Sequence, residues 1–172
     1  IQGFEDTKLP DDHFDVVMGN VPCGDFKIND SRYDKHKFLI HDYFFAKALD
    51  KARAGGVVLF ITSKGTMDKE NPLVRRYITE RADLLGAIRL PNNTFKSNAE
   101  TDVTSNILIL QKCDHMITDL PDWVHLDKDE NGITLNRYFA EHPEMVLSDM
   151  VMESTRFGFD STYRLHTDES LE

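Results

Sequence analysis

The run Asn20-Val21-Pro22-Cys23 follows an apolar stretch, Phe14 to Gly19, and carries the residue types needed to hold an amino group without a titrating base. The Asn20 side-chain oxygen is one acceptor and the Val21 carbonyl a second, so an NH2 group bonded to both is turned toward whatever electrophile lies beyond it. Pro22 has no backbone donor to compete and pushes Val21 into an extended conformation, which fixes where the Val21 carbonyl points. Asn, Pro and Gly also make ordinary strand-to-loop turns. The argument for chemistry comes from position, because open α/β sheets bind ligands at the carboxyl ends of their parallel strands.

That position depends on the elements around the motif. Residues 15–19 form a short Val-rich run of the kind that makes a buried parallel strand. Residues 24–37 are polar and predict a mobile loop over the strand end. A helix is expected over 39–53, with Ile40, Phe44, Ala48, Leu49 and Ala52 on one stripe and Gly55-Gly56 as its left-handed stop. Residues 57–62 predict a second buried strand and 63–70 its loop. Asn71-Pro72 is expected to start another helix, with Asn71 capping the free amides. Strands follow at 84–90 and 106–110, separated by a polar loop. This order predicts an α/β fold with right-handed crossovers and a final hairpin. Beyond Cys113 the expectations are a short strand at 121–126, a polar turn at 127–132, a short helix at 136–142 and a further stretch at 144–152 packed on the sheet.

With 172 residues and 40% apolar composition, the chain can bury a real core. Its net charge of -10 argues against a general polyanion-binding surface, so any grip on a duplex is expected largely from elsewhere. Cys23 and Cys113 are too few for a disulfide framework and read as reduced thiols. No run approaches the ~18 apolar residues of a membrane span and no signal segment opens the chain, so the expected location is the cytoplasm and no membrane partner is expected.

Several groups of residues together resemble the catalytic half of an N6-adenine DNA methyltransferase. They are Gly19-Asn20-Val21-Pro22, the helix segment His41-Asp42-Tyr43-Phe44-Phe45-Ala46-Lys47, Gly55-Gly56 before a strand, Thr62-Ser63, and Leu90-Pro91-Asn92 through Phe95 to Ile107-Leu108. The resemblance covers residues 4 to about 113 and is greatest to the methylase regions of large bacterial helicase/methylase proteins of mobile elements. It implies S-adenosyl-L-methionine as cofactor, a flipped-out adenine in DNA as substrate, and a helicase-type region of the same polypeptide as partner. The implied fold is a partial Rossmann-like methyltransferase sheet, mostly parallel, with a final antiparallel hairpin strand. The implied catalytic residues are Asn20, Val21, Pro22 and Cys23, with Phe95, Phe26 and Lys96 at the substrate.

Two departures qualify the resemblance. Cys23 stands where the family carries Phe or Tyr, whose stacking on a base is worth about 1–3 kcal/mol, and Phe26 is the candidate replacement. The Gly-rich loop for the cofactor's methionine end belongs on strands before residue 14, so the chain reads as a fragment lacking its N-terminal cofactor-binding strands. The strand at 15–19 then offers an unpaired edge and is expected to form a homodimer. Residues 1–113 are taken as the catalytic half, 114–170 as an extension packed on it, and Leu171-Glu172 as a vector scar. The alternatives are a degenerate methyltransferase-like docking module and a protein glutamine-N5 methyltransferase.

Other constellations point elsewhere. Asp127, Asp129 and Asn131 match the first half of a calcium loop, but position twelve is Tyr138, which favours a polar turn. The His residues have no metal-ligand spacing, so no metal is assigned. His36 and His41 near the motif read as surface residues. Arg75, Arg76, Lys64, Lys69 and Lys96 form a candidate phosphate-facing rim, although a solvated helix face explains Arg75-Arg76 as well. Met145, Met150 and Met152 read as core gap-fillers.

Overall fold

A computed structural model describes residues 3–92, 104–147, 149–155 and 158–164. The first strand, β1 (Phe14–Asn20), leads through a long loop to α1 (Ile40–Lys51), which passes directly into β2 (Ala52–Ser63). Two short helices follow, α2 (Gly65–Asp68) and α3 (Leu73–Thr79), and then β3 (Ala82–Arg89) and β4 (Ser105–Lys112). These strands form one sheet in the order β1-β2-β4-β3. β1 and β2 are parallel, with Val16 opposite Val57 and Asn20 opposite Ile61. β4 runs antiparallel to both of its neighbours, so β1, β2 and β3 share one direction and the last strand is inserted between two of them.

The junction of α1 and β2 differs from expectation. The helix stops at Lys51, and Gly55, at φ +77, lies within β2, where the pairing slips between Phe14 and Val16. Its left-handed conformation therefore makes a bulge in a strand instead of ending a helix. Gly56 is required by space, because a Cβ there would stand 2.9 Å from the carbonyl oxygens of both Arg53 and Phe14. The segment after β2 was expected to be a loop but closes into the single turn of α2. The Asn71 side chain does accept from the amide of Leu73 at 3.0 Å, as its capping role requires.

The core lies between α1, α3 and the sheet and contains Phe45, Leu49, Val58, Phe60, Ile78, Leu108 and Leu110. Residues beyond Cys113 enter the same core through Trp123, Leu135 and Phe139. The segment near 123 is a 3-10 turn, Asp122–Val124, and the strand lies just after it, as β5 (Leu126–Lys128) pairs with β6 (Thr134–Asn136). Within that hairpin the Asp129 carboxylate accepts from the Asn131 and Ile133 amides, which is the chemistry of a polar turn. Asn136 caps α4 (Arg137–Glu141) by accepting from the Tyr138 amide, and it donates to the Met67 and Trp123 carbonyls. The stretch expected to pack over 144–152 is divided. Val146 bridges to Arg89, whereas β7 (Asp149–Thr155) pairs with β8 (Gly158–Arg164) as a separate hairpin. Met145 packs against the core, and the side chains of Met150 and Met152 lie outside the described residues, as do Leu171 and Glu172.

β1 is the edge of the sheet among the described residues. Val16 and Met18 are 51% and 68% exposed there. No helix of the described residues is long and apolar enough to cross a membrane.

Candidate active site

Parallel pairing with β2 delivers the motif to the carboxyl edge of the sheet. The last paired residue of β1 is Asn20, and the Val21 amide adds one more bond by donating to the Ile61 carbonyl at 2.8 Å. Val21 is thereby buried, and its neighbours Asn20, Pro22 and Cys23 are exposed. The Val21 carbonyl is not used by the sheet, and Cys23 Sγ lies 4.0 Å from its oxygen. A small thiol thus stands beside the acceptor where a ring was expected.

A pocket of about 290 Å3 opens beside Asn20, lined by Phe4, Thr7, Val17, Met18, Gly19, Val21, Phe44 and Phe60 as well. Its walls are aromatic and aliphatic, with the Phe4 and Phe44 rings 5.0 Å apart, and no charged side chain lines it. Such walls suit the flat face of a purine, and the volume lies near the lower end of the ~300–1,000 Å3 typical of ligand pockets. Sequence reasoning missed this wall. No spacing in the sequence links Phe4 to Phe44, and Phe44 belongs to the stripe expected to face the core.

The loop between β1 and α1 is not the free segment its composition suggested. Asp30 accepts from the Tyr43 hydroxyl at 2.9 Å, from the Arg32 amide and from Lys47, which fastens the loop to α1. Burial opposes ionisation of Asp30, but these donors outweigh it and hold the carboxyl below its usual range. Lys47 is buried and also donates to the Glu5 carbonyl at 3.0 Å, with its ammonium 5.1 Å from the Phe4 ring centroid. The same side chain therefore connects the pocket wall to the loop behind the motif. Phe26, in that loop, is 56% exposed and lies against Gly24, where a Cβ would come within 2.6 Å of its ring. Phe26 is therefore adjacent to the motif with a free face. Phe95 and Lys96 lie outside the described residues.

The remaining candidates separate. Arg75 does not form a rim: it is 1% exposed and donates to the Val124 and Lys69 carbonyls. It sits inside because those carbonyls, each at the end of a short helical turn, need donors. His41 was read as a surface residue, but its ring is mostly covered and stands 3.3 Å from the Asp42 carboxylate. Burial pushes the Asp42 carboxyl up, against the opposing effects of His41 and Lys69. His36 is exposed, stacked on Phe38 at 4.9 Å. Among the described residues, no three His, Cys, Asp or Glu side chains converge in a way that could hold a metal ion.

The family model described as N-6 DNA methylase matches residues 2–133. This chain belongs to the N-6 DNA methylase family. The match extends past Cys113, so the family's sequence pattern includes the 3-10 turn and the β5 strand. The chain is 32% identical over 119 residues to the defense against restriction protein B of Escherichia phage P1, covering 67% of this chain. It spans 5% of the phage protein's length. A protein assigned to the class I S-adenosylmethionine-dependent methyltransferases of Listeria monocytogenes superposes with a TM-score of 0.50 at 24% identity, over 67% of this chain and 36% of that one. That likeness bears out the α/β methyltransferase-type fold. The M protein of the type I restriction enzyme EcoKI is also similar, with a TM-score of 0.49, 18% identity and coverage of 64% of this N-6 DNA methylase chain and 23% of its own.

Proposed function

We propose that this N-6 DNA methylase chain supplies the amino-group-holding half of an S-adenosyl-L-methionine-dependent DNA adenine-N6 methyltransferase. The observation that carries the reading is Asn20, exposed at the end of β1 with the Val21 carbonyl beside it, on the rim of an aromatic pocket. A flipped adenine would give its amino hydrogens to the Asn20 oxygen and the Val21 carbonyl, and Pro22 would keep that carbonyl turned outward. Phe26, and Phe95 with Lys96, would contact the substrate.

The pocket fits part of the cofactor. Phe4, Phe44 and Phe60 would hold its adenosyl portion, whereas no lining side chain can neutralise the charged methionine end. When bound, the cofactor supplies the methyl group. The rest of the reading follows the same line: a helicase-type region of the longer polypeptide as partner, a cytoplasmic location, and self-association of the isolated chain through residues 15–19. The division of the chain into 1–113 and 114–170 is part of this proposal too.

Asn20→Ala in the full-length protein tests the reading. Loss of N6-methyladenine from digested product DNA is the expected result, and undiminished methylation would overturn it. Cys23 beside the Val21 carbonyl favours one second reading, a module that keeps the fold for docking after losing catalysis. A large gain in methylation with Cys23→Phe would mark a decayed site.

A further inference from the structure

In the loop behind the motif Asp30 is the one partly buried acid, and Asp25, Asp34 and the lysines are exposed. Asp30 is taken up by α1 through Tyr43 and Lys47, and Arg32 by Asp11 and Asp50. Lys27, Lys35 and Lys37 are exposed and form no ion pair among the described residues. Two of them, Lys27 and Lys37, line a hollow of about 180 Å3 together with Asn29, Asp34 and Phe38. Lys27 directly follows Phe26 and lies four residues after Cys23 in the chain. Asp34 is the one carboxylate in the hollow, and its Oδ1 already accepts from the Asp30 amide at 2.9 Å. Lys37 also has an unusual backbone, at φ +55, where glycine would be the unstrained choice. Lys37 thus places an exposed positive charge on this loop in a chain of net charge -10.

We propose that Lys27 and Lys37 form a subsite for the phosphodiester backbone of DNA, gripping the strand next to the nucleotide presented to Asn20. The inference rests on the reading of the chain as a DNA methylase half. It assigns the DNA contact to a local basic hollow, which replaces the Arg75 rim and is compatible with an acidic protein, since only nearby charge acts at physiological salt. Phe38 and Asn29 give the hollow an apolar floor and a neutral donor, and neither reads a base edge, so the grip is independent of sequence.

The test is the salt dependence of binding of this chain to a fluorescent single-stranded DNA oligonucleotide, followed by anisotropy between about 50 and 200 mM salt. Lys37→Gly removes the ammonium and relieves the backbone, and Lys27→Gln alters an exposed side chain, so both variants keep the fold, which thermal unfolding checks. Each phosphate contact on a single strand contributes about 0.7 to the slope of log K against log salt, so the double variant is expected to lose about 1.4. Asp34→Asn, which retains the acceptor for the Asp30 amide, is expected to tighten binding. An unchanged slope in the double variant, or no DNA binding by the unaltered chain at 50 mM salt, overturns the subsite. Methyl transfer that depends on Asn20 alongside an unchanged slope would sink this proposal alone. A reduced slope in a protein that never methylates would uphold the subsite and sink the catalytic reading.

Discussion

The Tyr43 hydroxyl, on the second turn of α1, donates to the Asp30 carboxylate across 2.9 Å and so fastens the loop that carries Phe26 and Lys27. The bond is partly buried and one partner is charged, a combination worth about 1.5–3 kcal/mol when the group left behind cannot find water. Tyr43→Phe keeps the ring against Tyr33 and Phe4 and removes only the donor. A loss of about 1–2 kcal/mol is expected, because Lys47 and the Arg32 amide remain on Asp30. Hydrogen exchange in residues 24–37 should accelerate more than in β2 or β4, and uniform acceleration would contradict a local fastening.

Arg89 is fully buried, and it pairs with Asp68, donates to Asn106 at 2.9 Å and lies over the Phe139 ring at 4.2 Å. Removing one partner of such a pair leaves a buried charge and costs about 3–5 kcal/mol. Arg89→Met is expected to destabilise by that amount in chemical denaturation, and adding Asp68→Asn should recover part of it. Additive losses would show that the two side chains do not act as a pair.

The exposed edge of β1 makes self-association the expected behaviour of the isolated chain. Val16→Lys places a charge on an apolar edge residue that is 51% exposed, which is how edge strands are kept apart. Light scattering should show a dimer for the unaltered chain and a monomer for the variant, with stability changed by no more than about 0.5 kcal/mol. A monomer without the substitution would remove the edge as a contact surface.

Asp42 gives the protein a pH signature. Burial raises its carboxyl above the ordinary 3.8, so the folded chain holds the proton longer than the unfolded chain. This contribution to stability is complete below 3.8 and is lost as pH rises through the raised value. Asp42→Asn should therefore flatten the stability profile across that window and exceed the unaltered chain at neutral pH. Denaturation midpoints at several pH values measure it, and parallel profiles would refute the assignment.

The sequence alone determined the alternation of strands and helices, the strand-end position of Asn20 to Cys23 and the cap at Asn71, because each depends on neighbours in the chain: runs of Val, Leu and Ile, a side chain that reaches the next amides, and a proline that fixes its predecessor. Tertiary structure decided the rest. Asp30 finds Tyr43 and Lys47, Phe4 finds Phe44, and Arg75 finds Val124, at separations that no local pattern encodes. A polar loop looks the same in sequence whether its carboxylate faces water or a buried ammonium, and an arginine pair looks the same on a surface as in a core. Burial distinguishes them, since an unpaired buried donor or charge is too costly to leave, and burial exists only once the sheet and α1 have packed.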